Sequence, residues 1–197
     1  MRREIRITGF GGQGVILSGV IVGKAASIYD EKNATMSQAY GPEARGSACS
    51  TQVLVDDKEI LYPYIRKSDV LVAMSQEGYS KFVGELKADG VLIYDEDLVD
   101  PGEVKKGIKV YPIKAQRMAE TDLGRKIVTN IVMLGFFAAV TQAVPKGAMV
   151  EAIKTSVPKG TIDLNLKAFD LGYDAFEEGK GKGKRTQAGG RARNGAE

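Results

Sequence analysis

The sequence predicts an α/β fold in three layers, with a mostly parallel sheet, helices on both of its faces and an inserted β-hairpin. Strand-like and helical segments alternate along the chain, which is typical of a parallel sheet covered by helices. The segments 69–74 and 90–95 contain continuous apolar runs, as expected for strands buried on both faces. Earlier in the chain, residues 48–55 show the alternating pattern of a β-strand, which favours an inserted pair of antiparallel strands.

The individual elements follow from the spacing of the apolar residues. A first strand around residues 5–7 leads through the glycine-rich turn at 9–14 into a long helix that ends near residue 30. Further strands are predicted at 34–39, 48–55, 69–74, 90–95 and 109–113, and residues 56–58 are predicted as a hairpin tip that returns through 59–61. Further helices are predicted at 77–86, 115–118, 123–144, 147–157 and 163–177, the last with Asp163 as its N-cap.

The composition excludes several kinds of chemistry. Of the 197 residues, one is a cysteine and none is a histidine. One thiol cannot form an intrachain disulfide or hold an iron–sulfur cluster, and the usual zinc ligand sets are missing. Catalytic triads that use histidine are excluded too, so we expect any metal or cluster to belong to a partner chain. Cys49 is predicted as a small buried hydrophobic residue.

The charge is concentrated at the end of the chain. Residues 178–197 contain six basic and two acidic residues and six glycines, whereas residues 1–177 contain 22 basic and 23 acidic residues. A segment without large apolar residues cannot bury enough surface to fold. We therefore expect one folded domain over residues 1–177 and a disordered basic tail over 178–197. Because the basic and acidic residues of 1–177 are nearly equal in number, we expect no nucleic-acid partner. A contact of the tail with RNA or a membrane stays open.

Nothing in the sequence predicts export or membrane insertion. The first residues lack the apolar core of a signal peptide. The longest apolar stretch, 131–140, is shorter than the roughly 20 residues that a bilayer span requires. We therefore expect a cytoplasmic protein with no membrane partner, in which this stretch is a buried core helix.

The glycine turn is the first candidate site. Gly9, Gly11 and Gly14 form the pattern G-x-G-x-x-G between a predicted strand and a predicted helix. In that position the free N–H groups of the helix favour an anion such as a diphosphate. The same residues are also compatible with a tight bend that binds no ligand, and the pattern alone leaves both interpretations open.

A nicotinamide dinucleotide is disfavoured by the second predicted strand. Binding of the ribose would require an acidic residue at the end of that strand. The strand ends at residues 36–39, which contain no carboxylate. An anion at the start of the helix remains compatible with the sequence.

The loop at residues 40–47 is the second candidate site. A turn at Gly41-Pro42 is followed by Glu43 and Arg45. The guanidinium of Arg45 is suited to bind a carboxylate or phosphate through two hydrogen bonds. An ion pair with Glu43 on the surface is the alternative, and it would add little stability.

In combination, these motifs resemble those of a known family. The glycine turn, Ser37-Gln38, the stretch from Tyr40 to Gly46 and the stretch 72–76 are similar to the gamma subunit of 2-oxoacid:ferredoxin oxidoreductases. The resemblance covers residues 3–177, and it is strongest to the separate gamma subunit of the 2-oxoglutarate enzyme. The related pyruvate, branched-chain 2-oxoacid and indolepyruvate enzymes remain alternatives.

The resemblance implies oxidative decarboxylation of a 2-oxoacid with coenzyme A (CoA), giving an acyl-CoA and reduced ferredoxin. It places thiamine diphosphate with Mg²⁺ and the iron–sulfur clusters in alpha, beta or delta subunits, so that this chain alone holds no cofactor. It assigns this chain a share in binding CoA and in covering the active site. A purely structural role in assembly is the alternative.

The resemblance also gives a set of expected site residues, which lie on the glycine turn, on the second strand and its following loop, and after the strand at 69–74. These are Gly9, Gly11, Gly12, Gln13, Gly14, Ser37, Gln38, Tyr40, Gly41, Glu43, Arg45, Gly46, Ser75 and Gln76. We expect them at the surface that faces CoA or the partner subunits. None of them is expected to be catalytic.

Overall fold

The computed structural model describes residues 2–39 and 48–186. Six strands form one sheet, and six α-helices pack against it within these residues. The strands are β1 (Arg3–Phe10), β2 (Asn33–Ala39), β3 (Ala48–Asp56), β4 (Ser68–Ala73), β5 (Leu86–Asp95) and β6 (Lys109–Ile113). The helices are α1 (Val15–Ile28), α2 (Gln76–Phe82), α3 (Ala115–Thr121), α4 (Thr129–Thr141), α5 (Lys146–Lys154) and α6 (Ile162–Thr186), with short 3-10 turns at Val83–Glu85, Lys126–Val128 and Lys159–Thr161.

The sheet is mixed, in the order β2-β3-β1-β4-β5-β6. Strands β1, β4, β5 and β6 pair in parallel, whereas β3 runs antiparallel to both of its neighbours. The predicted α/β class, with its mostly parallel sheet and inserted hairpin, is therefore confirmed. The hairpin consists of β2 and β3, and the carboxyl ends of the parallel strands lie at one edge of the sheet.

The predicted return of the chain through residues 59–61 is wrong, because no strand forms there. Both sides of β3 are already paired, one with β1 and the other with β2, so no third strand can be added. The segment 59–67 instead runs across the sheet. Its Ile65 side chain is buried, and the Ile65 N–H donates to Gln52 Oε1 at 3.1 Å.

The helices cover the two faces of the sheet unequally. Val70 and Val72 of β4 belong to a large hydrophobic core formed with α1, α3, α4, α5 and α6. Leu71 and Ala73, on the opposite face of the same strand, belong to a smaller core with α2. This alternation is what a strand buried on both faces requires.

Arg6 lies on the face of the sheet that α2 covers, and it is 3% exposed. Its guanidinium donates to Glu85 Oε2 at 2.5 Å and lies 4.2 Å from the centre of the Phe82 ring. Burial lowers the pKa of Arg6, and the adjacent Glu85 carboxylate opposes that shift. A buried cation of this kind needs such a partner, because desolvation would otherwise be very costly.

Several predicted boundaries are shifted. The helix predicted from residue 123 to 144 is the 3-10 turn followed by α4, and it ends at Thr141. Asp163 is not an N-cap, because α6 begins at Ile162 and Asp163 lies in its first turn, where a carboxylate complements the helix dipole. Helix α6 continues to Thr186, past the predicted helix end at residue 177, and residues 187–197 of the predicted tail lie outside the described part. No helix among residues 2–39 and 48–186 is long and apolar enough to cross a membrane.

Helices α4 and α6 cross in very close contact at two glycines. A Cβ atom at Gly135 would lie against the carbonyl oxygen of Phe169, and one at Gly172 against the carbonyl oxygen of Val132. Both of these neighbours are backbone atoms, which cannot rotate away. The crossing therefore requires glycine on both helices.

We expect Gly135→Ala to destabilise the protein by at least about 1–3 kcal/mol, because the two helices must separate to admit the methyl group. Thermal or denaturant unfolding measures this. Gly23→Ala is the matched control, since Gly23 lies inside α1 with no atom within 4 Å of its would-be Cβ. That variant should keep or gain stability, by up to about 1 kcal/mol. Equal effects of the two substitutions would contradict the interpretation.

Candidate functional site

The glycine turn connects the end of β1 to the start of α1. Gly12 and Gly14 have φ values of 96° and 73°, which other residues adopt only with strain. Helix α1 then begins at Val15 with no side-chain cap and no acidic residue in its first turn. The first N–H groups of this helix have no partner within it, so they offer hydrogen bonds to an anion placed above the turn.

Gly9 and Gly14 are required by close contacts with neighbouring side chains. A Cβ at Gly9 would lie 2.5 Å from Gln13 Oε1, and one at Gly14 would lie 2.4 Å from Asn130 Nδ2. Asn130 belongs to α4, is 4% exposed, and donates to the carbonyl oxygen of Gly14 at 3.4 Å. Helix α4 therefore holds the glycine turn in position through Asn130.

Gln13 connects the turn to the neighbouring strand. Its Oε1 accepts a hydrogen bond from the N–H of Phe10 at 2.6 Å, and its Nε2 donates to the carbonyl oxygen of Met74 at 3.0 Å. The Met74 N–H in turn donates to the carbonyl oxygen of Thr8 at 2.8 Å. One side-chain amide thus links the ends of β1 and β4, and both of its polar atoms are used within the chain.

Two cavities lie on either side of the glycine turn. The larger, of about 380 Å³, is lined by Phe10, the turn glycines and the first residues of α1, with Cys49 at its base. The smaller, of about 140 Å³, lies between Gly12, Gln13 and the turn at Lys126–Val128. Lys126 adds a positive charge to the smaller cavity, and the first residues of α1 line the larger one; both features favour a phosphate.

Ser75 and Gln76 follow β4 and lie next to Met74, so the fold brings them to the same edge as the glycine turn. Ser75 is 1% exposed and its Oγ caps α2 by accepting from the Gly78 N–H at 3.2 Å. The Gln76 amide accepts from the Asp100 N–H at 2.8 Å and donates to the Asp100 carbonyl at 3.2 Å. Both side chains therefore shape the loops around the site.

Ser37 and Gln38 lie on β2, at the edge of the sheet. Strand β3 separates them from the glycine turn. The Ser37 carbonyl accepts from Thr51 Oγ1 of β3 at 3.2 Å, and Gln38 is exposed. These two residues are near the site without reaching it.

The remaining expected residues, Tyr40, Gly41, Glu43, Arg45 and Gly46, lie outside the described residues. The strands that border their segment are described: β2 ends at Ala39, and β3 begins at Ala48. Ala48 pairs with Phe10, the last residue of β1. Ala48, which follows the segment, therefore lies at the edge of the sheet where the glycine turn begins.

Asp95 ends β5 and is fully buried. Its Oδ1 accepts from the Asp97 N–H at 3.1 Å and its Oδ2 from the Gln116 N–H at 2.8 Å, so the carboxylate holds the following loop and the start of α3. Burial raises the pKa of Asp95, and these two backbone hydrogen bonds oppose the shift. Asp95 therefore stabilises the loop after β5 and the start of α3 at this edge of the sheet.

Sequence reasoning missed the contribution of the segment that leads into α4. Asn130 contacts a glycine 116 positions earlier in the chain, and Lys126 and Ile127 line the smaller cavity. Ile127 is 82% exposed, which is unusual for a large apolar side chain beside a site. Nothing in the sequence indicates this exposure, because Ile127 fits the apolar spacing of the helix predicted over 123–144.

Comparison with known proteins identifies the family. The sequence model described as pyruvate ferredoxin/flavodoxin oxidoreductase matches residues 4–175, most of the chain. The chain belongs to the pyruvate ferredoxin/flavodoxin oxidoreductase family. Within this family it is 46% identical over 179 residues to the 2-oxoglutarate synthase subunit KorC of Methanocaldococcus jannaschii, covering 90% of this chain and 96% of that protein. It is 33% identical to the pyruvate synthase subunit PorC of Methanothermobacter thermautotrophicus, covering 89% and 96% of the two chains.

Solved structures of the oxidoreductase family have the same fold. The keto/oxoacid ferredoxin oxidoreductase gamma subunit of Geobacter sulfurreducens matches with a TM-score of 0.76 and 42% identity, over 87% of this chain and 96% of that chain. A 24% identical chain of the 2-oxoglutarate:ferredoxin oxidoreductase of Magnetococcus marinus also gives a TM-score of 0.76, over 88% of this chain and 31% of that chain.

The described residues offer no metal site of their own. Residues 2–39 and 48–186 contain no group of three or more histidine, cysteine, aspartate or glutamate side chains placed to hold a metal ion. Cys49 is 6% exposed, and burial raises the pKa of its thiol, which disfavours the thiolate that metals bind.

We expect Gln13→Ala to loosen the glycine turn, because the Phe10 N–H and the Met74 carbonyl both lose their partner. The cost should be about 1–3 kcal/mol of unfolding free energy, with faster hydrogen exchange at the Phe10 amide. Gln38→Ala, at an exposed position of β2, should change neither quantity. Unchanged exchange at Phe10 in Gln13→Ala would contradict the bridging role.

A second prediction follows from Asp95. Because its folded pKa lies above the ordinary value of 3.8, its contribution to stability is fully present at lower pH and is lost as the pH rises through the folded pKa. The unfolding free energy of Asp95→Asn, measured from pH 4 upward, should lack this loss. The unfolding free energy of the wild type should therefore fall relative to that of Asp95→Asn as the pH rises. Parallel pH profiles would contradict the burial argument.

Proposed function

We propose that this chain is the gamma subunit of a CoA-acylating 2-oxoacid:ferredoxin oxidoreductase and that its 2-oxoacid is 2-oxoglutarate, which is converted to succinyl-CoA. The support is the degree of similarity: relatives named as 2-oxoglutarate synthase subunits reach 46% identity over at least 90% of this chain. Relatives named as pyruvate synthase or ketoisovalerate oxidoreductase subunits reach 33% and 31%. Those two substrates, and indolepyruvate, are the alternatives.

In this proposal the chain contributes to CoA binding and covers an active site that partner subunits complete. One observation supports the first part: the uncapped start of α1 lines one cavity at the glycine turn, and Lys126 lines a second cavity at the same turn. Phosphate groups are favoured at such a place because free N–H groups and a cation both donate to them. Arg45, whose guanidinium is suited to a carboxylate or phosphate, would bind a second anionic group.

Thiamine diphosphate with Mg²⁺ and the iron–sulfur clusters belong, in this proposal, to alpha, beta and delta subunits, which supply decarboxylation and electron transfer to ferredoxin. The residues of this chain bind and orient CoA and exclude water. Gln13 fixes the turn from which the α1 N–H groups point, and Gln76 fixes the loop beside it. We place the assembled enzyme in the cytoplasm.

The proposal predicts a specific effect of Lys126→Gln in the assembled enzyme. Lys126 is exposed, so the substitution leaves folding intact. The KM for CoA should rise roughly five- to tenfold, since one charged contact to a phosphate near a protein surface contributes about 1 kcal/mol. The kcat at saturating CoA should stay near the wild-type value, and Arg45→Ala should act in the same direction.

Lys109→Gln is the matched control, because Lys109 is an exposed lysine at the start of β6, on the opposite edge of the sheet. It should leave the KM for CoA unchanged. If Lys126→Gln and Arg45→Ala also leave it unchanged, the CoA assignment is wrong. The purely structural alternative predicts impaired assembly of the complex in glycine-turn variants, with an unchanged KM for CoA.

A further inference from the structure

A second surface lies at the edge of the sheet opposite the glycine turn, on the segment 59–67. Leu61 is 86% exposed, Tyr62 53% and Tyr64 58%, and these three lie within four consecutive residues. The two tyrosine rings pack edge to face with their centres 5.6 Å apart. Large apolar side chains that cluster on a surface mark sites of interaction.

Basic side chains border these aromatic rings. Tyr62 and Tyr64 line a cleft of about 500 Å³ together with Arg66, Lys67 and the aligned ends of β1 and β5. We call Leu61, Tyr62, Tyr64, Arg66 and Lys67 the aromatic–basic surface. Arg2 and Lys87, also in the cleft, are paired with carboxylates of this chain. In the described part of the chain neither Arg66 nor Lys67 forms an ion pair, so their charges are available to a ligand.

The aromatic–basic surface is held in place before any partner binds. Ile65, between the exposed residues, is 6% exposed and anchors the segment in the core. Its N–H donates to Gln52 Oε1 of β3, which fixes the backbone as well. A surface fixed in this way loses little conformational entropy on binding, which favours affinity.

The charge of the surface restricts its occupant. A second copy related by a two-fold axis would place these cations against themselves. The segments of this chain outside the described residues are not suitable occupants either, because neither has a net negative charge. Residues 40–47 contain one acid and one base, and residues 187–197 contain two arginines and one glutamate. Glu96 and Asp97, on the opposite edge, are already paired with Lys114 and Arg117. Charge complementarity therefore favours an acidic segment of a different chain.

We propose that the aromatic–basic surface docks an acidic segment of another subunit of the oxidoreductase, with apolar side chains against Tyr62 and Tyr64 and carboxylates on Arg66 and Lys67. This proposal rests on the proposed function only in assuming that partner subunits exist. Tyrosine and arginine are the residue types most often found to dominate binding energy at interfaces. The surface lies away from the glycine turn, so the docking it provides is separate from CoA binding.

The test uses the full complex, reconstituted from this chain and its co-purified partner subunits. The double variant Arg66→Glu, Lys67→Glu should weaken association roughly tenfold or more at low salt and lose the wild-type decrease of affinity with rising salt. Tyr62→Ala, Tyr64→Ala should weaken association by a similar factor with the salt dependence retained. Thermal unfolding of the isolated chain should be unchanged by the charge reversal, because both side chains are exposed.

Lys105→Glu, Lys106→Glu is the matched control, since it reverses the same number of charges in an adjacent exposed pair. It should associate like wild type. A photo-crosslinker placed at Leu61 should react with an acidic stretch of a partner subunit. Wild-type affinity in both test variants, equal weakening by the control, or crosslinking to a second copy or to a basic stretch would each overturn the proposal. These outcomes are independent of the KM for CoA, which tests the function itself.

Discussion

The close packing of α1 against the sheet and α4 is the constraint on which the rest of the structure depends. A Cβ at Gly19 would lie 2.4 Å from Thr51 Oγ1 of β3, just as one at Gly14 would meet Asn130 of α4. At this distance the helix cannot shift, so the N–H groups at its start point in a fixed direction. Gln13 adds a second restraint by joining the ends of β1 and β4. A binding site made from backbone atoms needs this rigidity, because backbone donors cannot adjust as side chains do.

The order of elements and the glycine turn could be predicted from the sequence because both depend on local patterns. Apolar runs located β4 and β5, and the glycine spacing located the turn between a strand and a helix. The course of residues 59–67 could not be predicted, because it depends on both sides of β3 being paired. Element ends were also misplaced: Asp163 is a good N-cap by type, yet α6 begins before it.

The candidate site was predictable only in part for the same reason. The turn glycines are recognisable by their spacing, but Asn130 and Lys126 reach the turn through the packing of α4, which no local pattern encodes. Residue type was also an incomplete guide to role. Gln13, Ser75 and Gln76 are polar and near the site, yet their side chains hydrogen-bond within the chain and set the shape of the loops. In the proposed site, the groups that would bind the ligand are backbone N–H groups and a lysine that the motifs do not include.

The unequal thickness of the two helical layers has a consequence for the motions of the molecule. Among residues 2–39 and 48–186, the core beside α2 contains eight buried residues, whereas the core beneath the other five helices contains about four times as many. Cooperative opening of part of a protein requires the least energy where the fewest apolar contacts are lost. The unit formed by α2 and the loop after β5 should therefore open and close many times for each time that the whole protein unfolds. Because that loop is joined to Gln76, such excursions would move the start of α2 at the same edge of the sheet, while the α1 end of the glycine turn stays ordered.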